Sequence, residues 1–91
     1  QLTHRAGVPL MPEGVTPELM CDSAYMAQAI AAMEPLAPPG EKTLYQSMTF
    51  GWILGEIVRR SDPAGRELGP FVQDEICRPL GLRDLWIGIP D

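Results

Sequence analysis

Apolar residues recur along Tyr45–Arg60 in the strongest buried pattern the chain offers. Phe50, Ile53, Leu54, Ile57 and Val58 fall at i, i+3, i+4, i+7 and i+8, the spacing of one buried face of a helix. The spacing predicts a helix entered from the turn-prone Pro35, Pro38, Pro39 and Gly40 and closed by Ser61-Asp62-Pro63. Gly51 and Gly55 share one side of it. Each lowers helix propensity by about 1 kcal/mol relative to alanine, which points to another backbone packed close there. Tyr45 stands just ahead of the helix, where a loop can present its hydroxyl from a fixed backbone.

Weaker patterns flank this one. Leu2-Thr3-His4 reads as the end of a helix, stopped by Gly7 and Pro9, and Val8 to Gly14 as a loop. Thr16-Pro17-Glu18 combines a capping hydroxyl with a proline suited to the first helical position. Asp22 or Ser23 can cap a second helix, in which Met26, Ile30 and Met33 share a face and the alanines favour helix. The two methionines read as core filler. Pro35 ends that helix, and Pro35 to Gly40 reads as an extended linker over the surface. Beyond the main helix, Pro63 to Gly69 is a connection and Gly69-Pro70 opens a further helix. Leu68, Val72 and Ile76 line one face of it with Phe71, while Asp74, Glu75 and Arg78 point outward; Pro79 and Gly81 stop it. Leu85-Trp86-Ile87-Gly88-Ile89 reads as an edge strand or extended segment that Pro90 keeps out of a sheet centre. The expected architecture is three to four helices, long loops and one terminal extended segment.

Composition narrows the classes. Ninety-one residues make at most one small domain, of a size that buries only about 60–65% of its unfolded surface. A hydrophobic content of 45% argues against disorder. The formal charge of −5 argues against nucleic acid or an anionic membrane as partner. No apolar run approaches the roughly 20 residues of a transmembrane helix, and no signal peptide is visible. Cys21 and Cys77 form no C-x-x-C pair, and the single His4 cannot complete a zinc site with them. Both read as free thiols, Cys77 on a helix face and Cys21 near a helix start; a disulfide would need their Cα atoms within about 7 Å. The thiols lean towards a cytoplasmic setting without deciding it.

Candidate chemistry is sparse. Tyr45, taken from the residues alone, is a half-buried loop tyrosine with its hydroxyl hydrogen-bonded. A phenol with a normal pKa near 10 can act as a base only if cations favour its phenolate or a lysine relays its proton, and Lys42 is the one nearby candidate. His4 could be an acid or base, but its place at a helix-end turn reads as structural. Asp62, Glu67, Asp74 and Glu75 read as a solvated face. Arg59 and Arg60 complement a helix dipole, and Trp52 and Trp86 read as packing residues.

Four stretches together resemble the serine beta-lactamase-related family, closest to class C-like beta-lactamases and family VIII-type carboxylesterases. They are Leu2-Thr3-His4-Arg5-Ala6-Gly7-Val8-Pro9, Tyr45-x-Ser47, the run Phe50 to Arg60, and Glu75-Ile76-Cys77-Arg78-Pro79-Leu80-Gly81-Leu82. In this order they cover nearly the whole chain. The resemblance implies that residues 1–91 are one region, an internal piece belonging to the helical subdomain of a larger α/β beta-lactamase/transpeptidase-like fold. It implies acyl transfer by a serine with no cofactor and no metal, on a small-molecule ester or amide. Tyr45 matches the tyrosine of the family's Tyr-x-Asn motif, which takes part in proton transfer; Ser47 stands where class C lactamases place a substrate-holding asparagine. A hydroxyl has one donor and shorter reach than an amide, so this departure favours short-chain esters over beta-lactams. The Ser-x-x-Lys motif that carries nucleophile and lysine in related enzymes is missing: Ser23, Ser47 and Ser61 are followed three residues on by Met26, Phe50 and Ala64. Lys42-Thr43 precedes the tyrosine, the wrong side for the family's Lys-Thr-Gly strand. The piece alone is therefore expected to be inactive, with the remainder of the parent domain as its partner. The competing reading is a non-catalytic helical scaffold or interaction module.

Overall fold

The computed structural model describes residues 1–89, and its chain forms two compact units, Gln1–Leu54 and Gly55–Asp91. Local sequence explains most of the helices. Helix α1 (Pro17–Met20) starts where Thr16 Oγ1 accepts the Leu19 amide at 3.3 Å, with Pro17 at the position that has no amide to satisfy. Helix α2 (Ser23–Ala31) starts where Asp22 Oδ1 accepts the Tyr25 amide at 2.9 Å. Its buried residues are Met26 and Ile30, four apart on the face that the spacing predicts. Helices α1 and α2 pack on each other.

The rest of the first unit is built from loops tied to each other. Leu2 and Thr3 form a turn closed by the His4 amide on the Gln1 carbonyl at 2.9 Å, and His4 has a left-handed backbone, φ 56°. Pro35 to Gly40 runs over the surface as expected, with every residue but Ala37 exposed, and it is tied down there. Leu36 donates to Gly7 at 2.8 Å, Gly40 donates to Arg5 at 2.8 Å, and Ala37 is buried. The Arg5 guanidinium donates back to the Gly40 carbonyl. Gly7 makes this approach possible: its φ is +85°, and a Cβ there would collide with the Ala37 carbonyl.

Helix α3 (Thr49–Ser61) is the central helix expected from the apolar spacing, and the division between the units falls inside it. Its stripe is only partly covered: Phe50, Ile53, Leu54 and Val58 are half-buried and Ile57 is exposed. The glycines do not mark a close backbone contact. Gly51 faces open space, and a Cβ on Gly55 would meet only the Leu68 side chain at an ordinary 3.7 Å. Arg59 and Arg60 sit in the last turn as the dipole favours, and both also bind Glu56, at 2.8 Å and 2.6 Å. Held by these two cations, Arg59 first, the Glu56 carboxyl titrates at about 2.

Past α3 the chain runs through helix α4 (Leu68–Val72), a π-helical turn (Gln73–Cys77) and a last helix, α5 (Arg78–Leu80). The π turn corrects the predicted face. One extra residue per turn rotates everything after it, so the position after Leu68 and Val72 that goes inside is Cys77, fully buried, and Ile76 is exposed. Gly81, in the left-handed conformation at φ 66°, ends the run. The Gly81 amide reaches Arg78 and the Leu82 amide reaches Cys77, satisfying carbonyls the helix leaves open.

Two further expectations are corrected here. The acidic residues are not simply a solvated face. Asp62, whose side chain is 3% exposed, takes hydrogen bonds from the Arg66 amide and guanidinium, and that guanidinium also reaches Asp74 at 3.2 Å and Glu75 at 2.9 Å. Arg66 lies over the Phe71 ring as well, and Asp74 pairs with Arg78. Hydrogen bonds from Arg66 hold the Asp62 carboxyl well below the usual carboxylate range. The second correction concerns the strand alternative for Leu85–Ile89: the segment is irregular, with no strand among the described residues. Its carbonyls turn to the preceding helical run: Gln73 Nε2 donates to Leu85 at 2.6 Å, and the Ile87 carbonyl lies 3.1 Å from where a Gly69 Cβ would be. Without a neighbouring strand a segment has no ladder to join. Trp86, half exposed, is not a packed residue in this unit, and Pro90 lies outside the described residues.

Candidate active site

Tyr45 and Ser47 owe their placement to the residue between them. The chain carries no regular structure at Tyr45 and Gln46 and turns at Ser47. Gln46 is 1% exposed, whereas Tyr45 is 75% exposed and Ser47 is exposed. The inward side chain is held at several points. The Gln46 amide donates to His4 Nδ1 at 3.0 Å, and Gln46 Nε2 donates to the Val8 carbonyl at 3.3 Å. Thr49 Oγ1, at the first residue of α3 and fully buried, donates to the same Val8 carbonyl at 2.8 Å. The amide of Leu44 donates to the His4 carbonyl at 2.8 Å. The loop is thus clamped to His4 and Val8, with Tyr45 and Ser47 exposed before and after the buried Gln46.

The setting of Tyr45 differs from a half-buried tyrosine with a bonded hydroxyl. Its ring lies 4.8 Å from the His4 ring, tilted by 42°, and Phe50 also lies against the His4 ring, at 5.0 Å. No hydrogen bond to the Tyr45 or Ser47 hydroxyl forms among the described residues, and Lys42 contributes none. The site therefore offers two unengaged hydroxyls on a fixed backbone, without the cation that a phenolate needs. Among the described residues no three His, Cys, Asp or Glu side chains gather as a metal site would require. Cys21 is exposed and Cys77 buried, both as free thiols.

Sequence reasoning overlooked Gln46 and Thr49, both polar and almost wholly buried. Local sequence carried no signal for Gln46, in a stretch without regular structure. None existed for Thr49 either, because its partner is the carbonyl of Val8, distant in sequence.

A family model described as Beta-lactamase matches residues 2–91. The chain belongs to the Beta-lactamase family. Within that family it is similar to the Esterase/beta-lactamase LipL of Mycobacterium tuberculosis, 28% identical over 89 residues, which are 98% of this chain and 20% of that protein. It is also similar to the crystal structure of a novel penicillin-binding protein homolog from Caulobacter crescentus. That match has 41% identity and a TM-score of 0.81, and it covers 99% of this chain and 24% of that one. The chain thus spans a fifth to a quarter of the length of these relatives.

Proposed function

We propose that this chain is the tyrosine-bearing helical part of an α/β serine hydrolase that works through an acyl-enzyme. The observation that carries the reading is the clamped Leu44–Ser47 loop, which turns Gln46 inward and presents Tyr45 and Ser47 together. Membership of the Beta-lactamase family supports it, as does likeness to a protein named as both esterase and beta-lactamase. In this proposal a serine and a lysine outside residues 1–91 complete the site. The serine oxygen bonds to the substrate carbonyl carbon while its proton passes to the Tyr45 oxygen, which the lysine ammonium holds as the phenolate. Tyr45 then returns the proton to the leaving group as its bond to the carbonyl breaks. Water releases the acyl group by the same steps in reverse.

Ser47 is proposed to hold the substrate. Its single hydroxyl, in place of an amide, favours short-chain esters over penicillins and cephalosporins, and side-by-side kcat/KM values on the two classes decide between them. The central test is Tyr45→Phe in the whole protein. General acid–base help is worth about 10²–10⁴-fold, so kcat should fall by that factor. Thermal stability should stay near the parent's, because the hydroxyl has no partner among the described residues. Parental kcat would remove Tyr45 from the chemistry and leave a non-catalytic scaffold as the better reading.

A further inference from the structure

We infer that His4 is the positioning residue for Tyr45, a role that rests on the proton-transfer reading above. The two peptide amides flanking Tyr45 both end on this one residue: Leu44 donates to the His4 carbonyl at 2.8 Å and Gln46 donates to His4 Nδ1 at 3.0 Å. A backbone amide can only donate, so Nδ1 carries the lone pair and any proton of the neutral ring sits on Nε2. The ring itself lies against Tyr45 at 4.8 Å and against Phe50 at 5.0 Å. Tyr45 is therefore fixed before it, after it and along its ring.

The backbone of His4 supports the same conclusion. It is the one non-glycine residue with positive φ among the described residues, at 56°. Glycine is the usual occupant of that conformation, but glycine has no side-chain acceptor for the Gln46 amide. The left-handed turn is kept by a residue that supplies what glycine lacks. Among the described residues no other side chain accepts a hydrogen bond from this loop's backbone, so the phenol of an exposed tyrosine is held mainly through His4.

Three substitutions in the whole protein test this, read by kcat and KM on an ester and by hydrogen exchange at single amides. His4→Leu keeps apolar bulk and removes the acceptor. His4→Asn puts an amide oxygen where Nδ1 stands and tolerates positive φ, whereas His4→Gln carries its acceptor one atom too far. His4→Leu and His4→Gln should lower kcat by about 10-fold or more, since misplacement by about 1 Å can cost 10²-fold, and should lose protection of the Gln46 amide. His4→Asn should recover most of both. The Leu44 amide, bonded to backbone, should stay protected in all three and serves as the control for folding. In a Tyr45→Phe background the His4 substitutions should cost little further kcat while still exposing the Gln46 amide. Retained Gln46 protection in His4→Leu, equal loss in Asn and Gln variants, or an undiminished kcat penalty in the Tyr45→Phe background would each overturn the inference. Should His4→Leu not fold, the Asn and Gln pair alone decides. Parental kcat in Tyr45→Phe would defeat the proton-transfer reading instead, leaving Gln46 exchange to judge the tether.

Discussion

The Val8 carbonyl is a shared acceptor, and a double-mutant cycle on its two donors gives a quantitative test of how the tyrosine loop is held. Thr49 Oγ1 donates to it at 2.8 Å and Gln46 Nε2 at 3.3 Å. Thr49→Val removes the shorter bond with little change of shape and leaves the carbonyl its other donor. A net hydrogen bond is worth roughly 0.5–1.5 kcal/mol, so the expected loss is about 1 kcal/mol. Gln46→Met removes the longer bond and also removes Oε1, which is buried without a partner among the described residues. An orphaned buried acceptor costs about 1–3 kcal/mol, so the two effects offset and stability should stay within about 1 kcal/mol of the parent. Together the substitutions strip the carbonyl of both donors. The double variant should then lose about 1–2 kcal/mol more than the two singles summed. Urea unfolding followed by circular dichroism measures all four corners. Additivity within about 0.3 kcal/mol would refute the shared acceptor, and a large loss from Gln46→Met alone would show that its orphaned oxygen has a partner.

Three other outcomes follow from single positions. Gly51→Ala, in a helix and facing open space, should stabilise by about 1 kcal/mol, whereas Gly7→Ala should destabilise by more than about 1 kcal/mol because of its positive φ and the Ala37 carbonyl; equal melting of the two variants would contradict both. A thiol reagent should modify exposed Cys21 quickly and buried Cys77 only after denaturant is added, so rapid labelling at Cys77 would show that the π turn opens. Glu56 is lowered from an ordinary 4.5 to about 2, by Arg59 first and Arg60 second, and Asp62 is lowered from 3.8, by Arg66. Both groups stabilise the fold fully above their ordinary values and lose that effect as pH falls towards their folded ones, so helix content should decline below about pH 4.5. Glu56→Gln with Asp62→Asn should flatten that decline, and an unchanged acid profile would disprove the linkage.

Where structure depends on near neighbours, the sequence by itself was enough. Thr16 and Asp22 cap the helices they precede, and Pro17 opens the first. Met26 and Ile30 are buried on the predicted face, α3 follows its 3.6-residue spacing, and Gly81 stops the last helix. Each of these is decided within a turn or two of chain, by a cap, a φ preference or a periodicity. The order of Tyr45 and Ser47 ahead of α3 was legible for the same reason, and so was the family, from motifs spread along the chain.

Tertiary structure decided what rests on partners remote in sequence. Nothing local shows that Pro35 to Gly40 will bond to Arg5 and Gly7, that Asp62 will be enclosed by Arg66, or that Leu85–Ile89 will lie along a helix in place of a strand. The π turn belongs here too: a single added residue moves the buried position from Ile76 to Cys77, and apolar spacing read at 3.6 residues per turn is blind to it. The same holds at the candidate site. Residue order places Tyr45 and Ser47 two apart in the chain, but it is the closure of Gln46 onto His4 and Val8 that buries the residue between them and leaves both exposed. Backbone amides and carbonyls look alike at every residue, so which of them meet is set by packing, and side-chain direction follows from it.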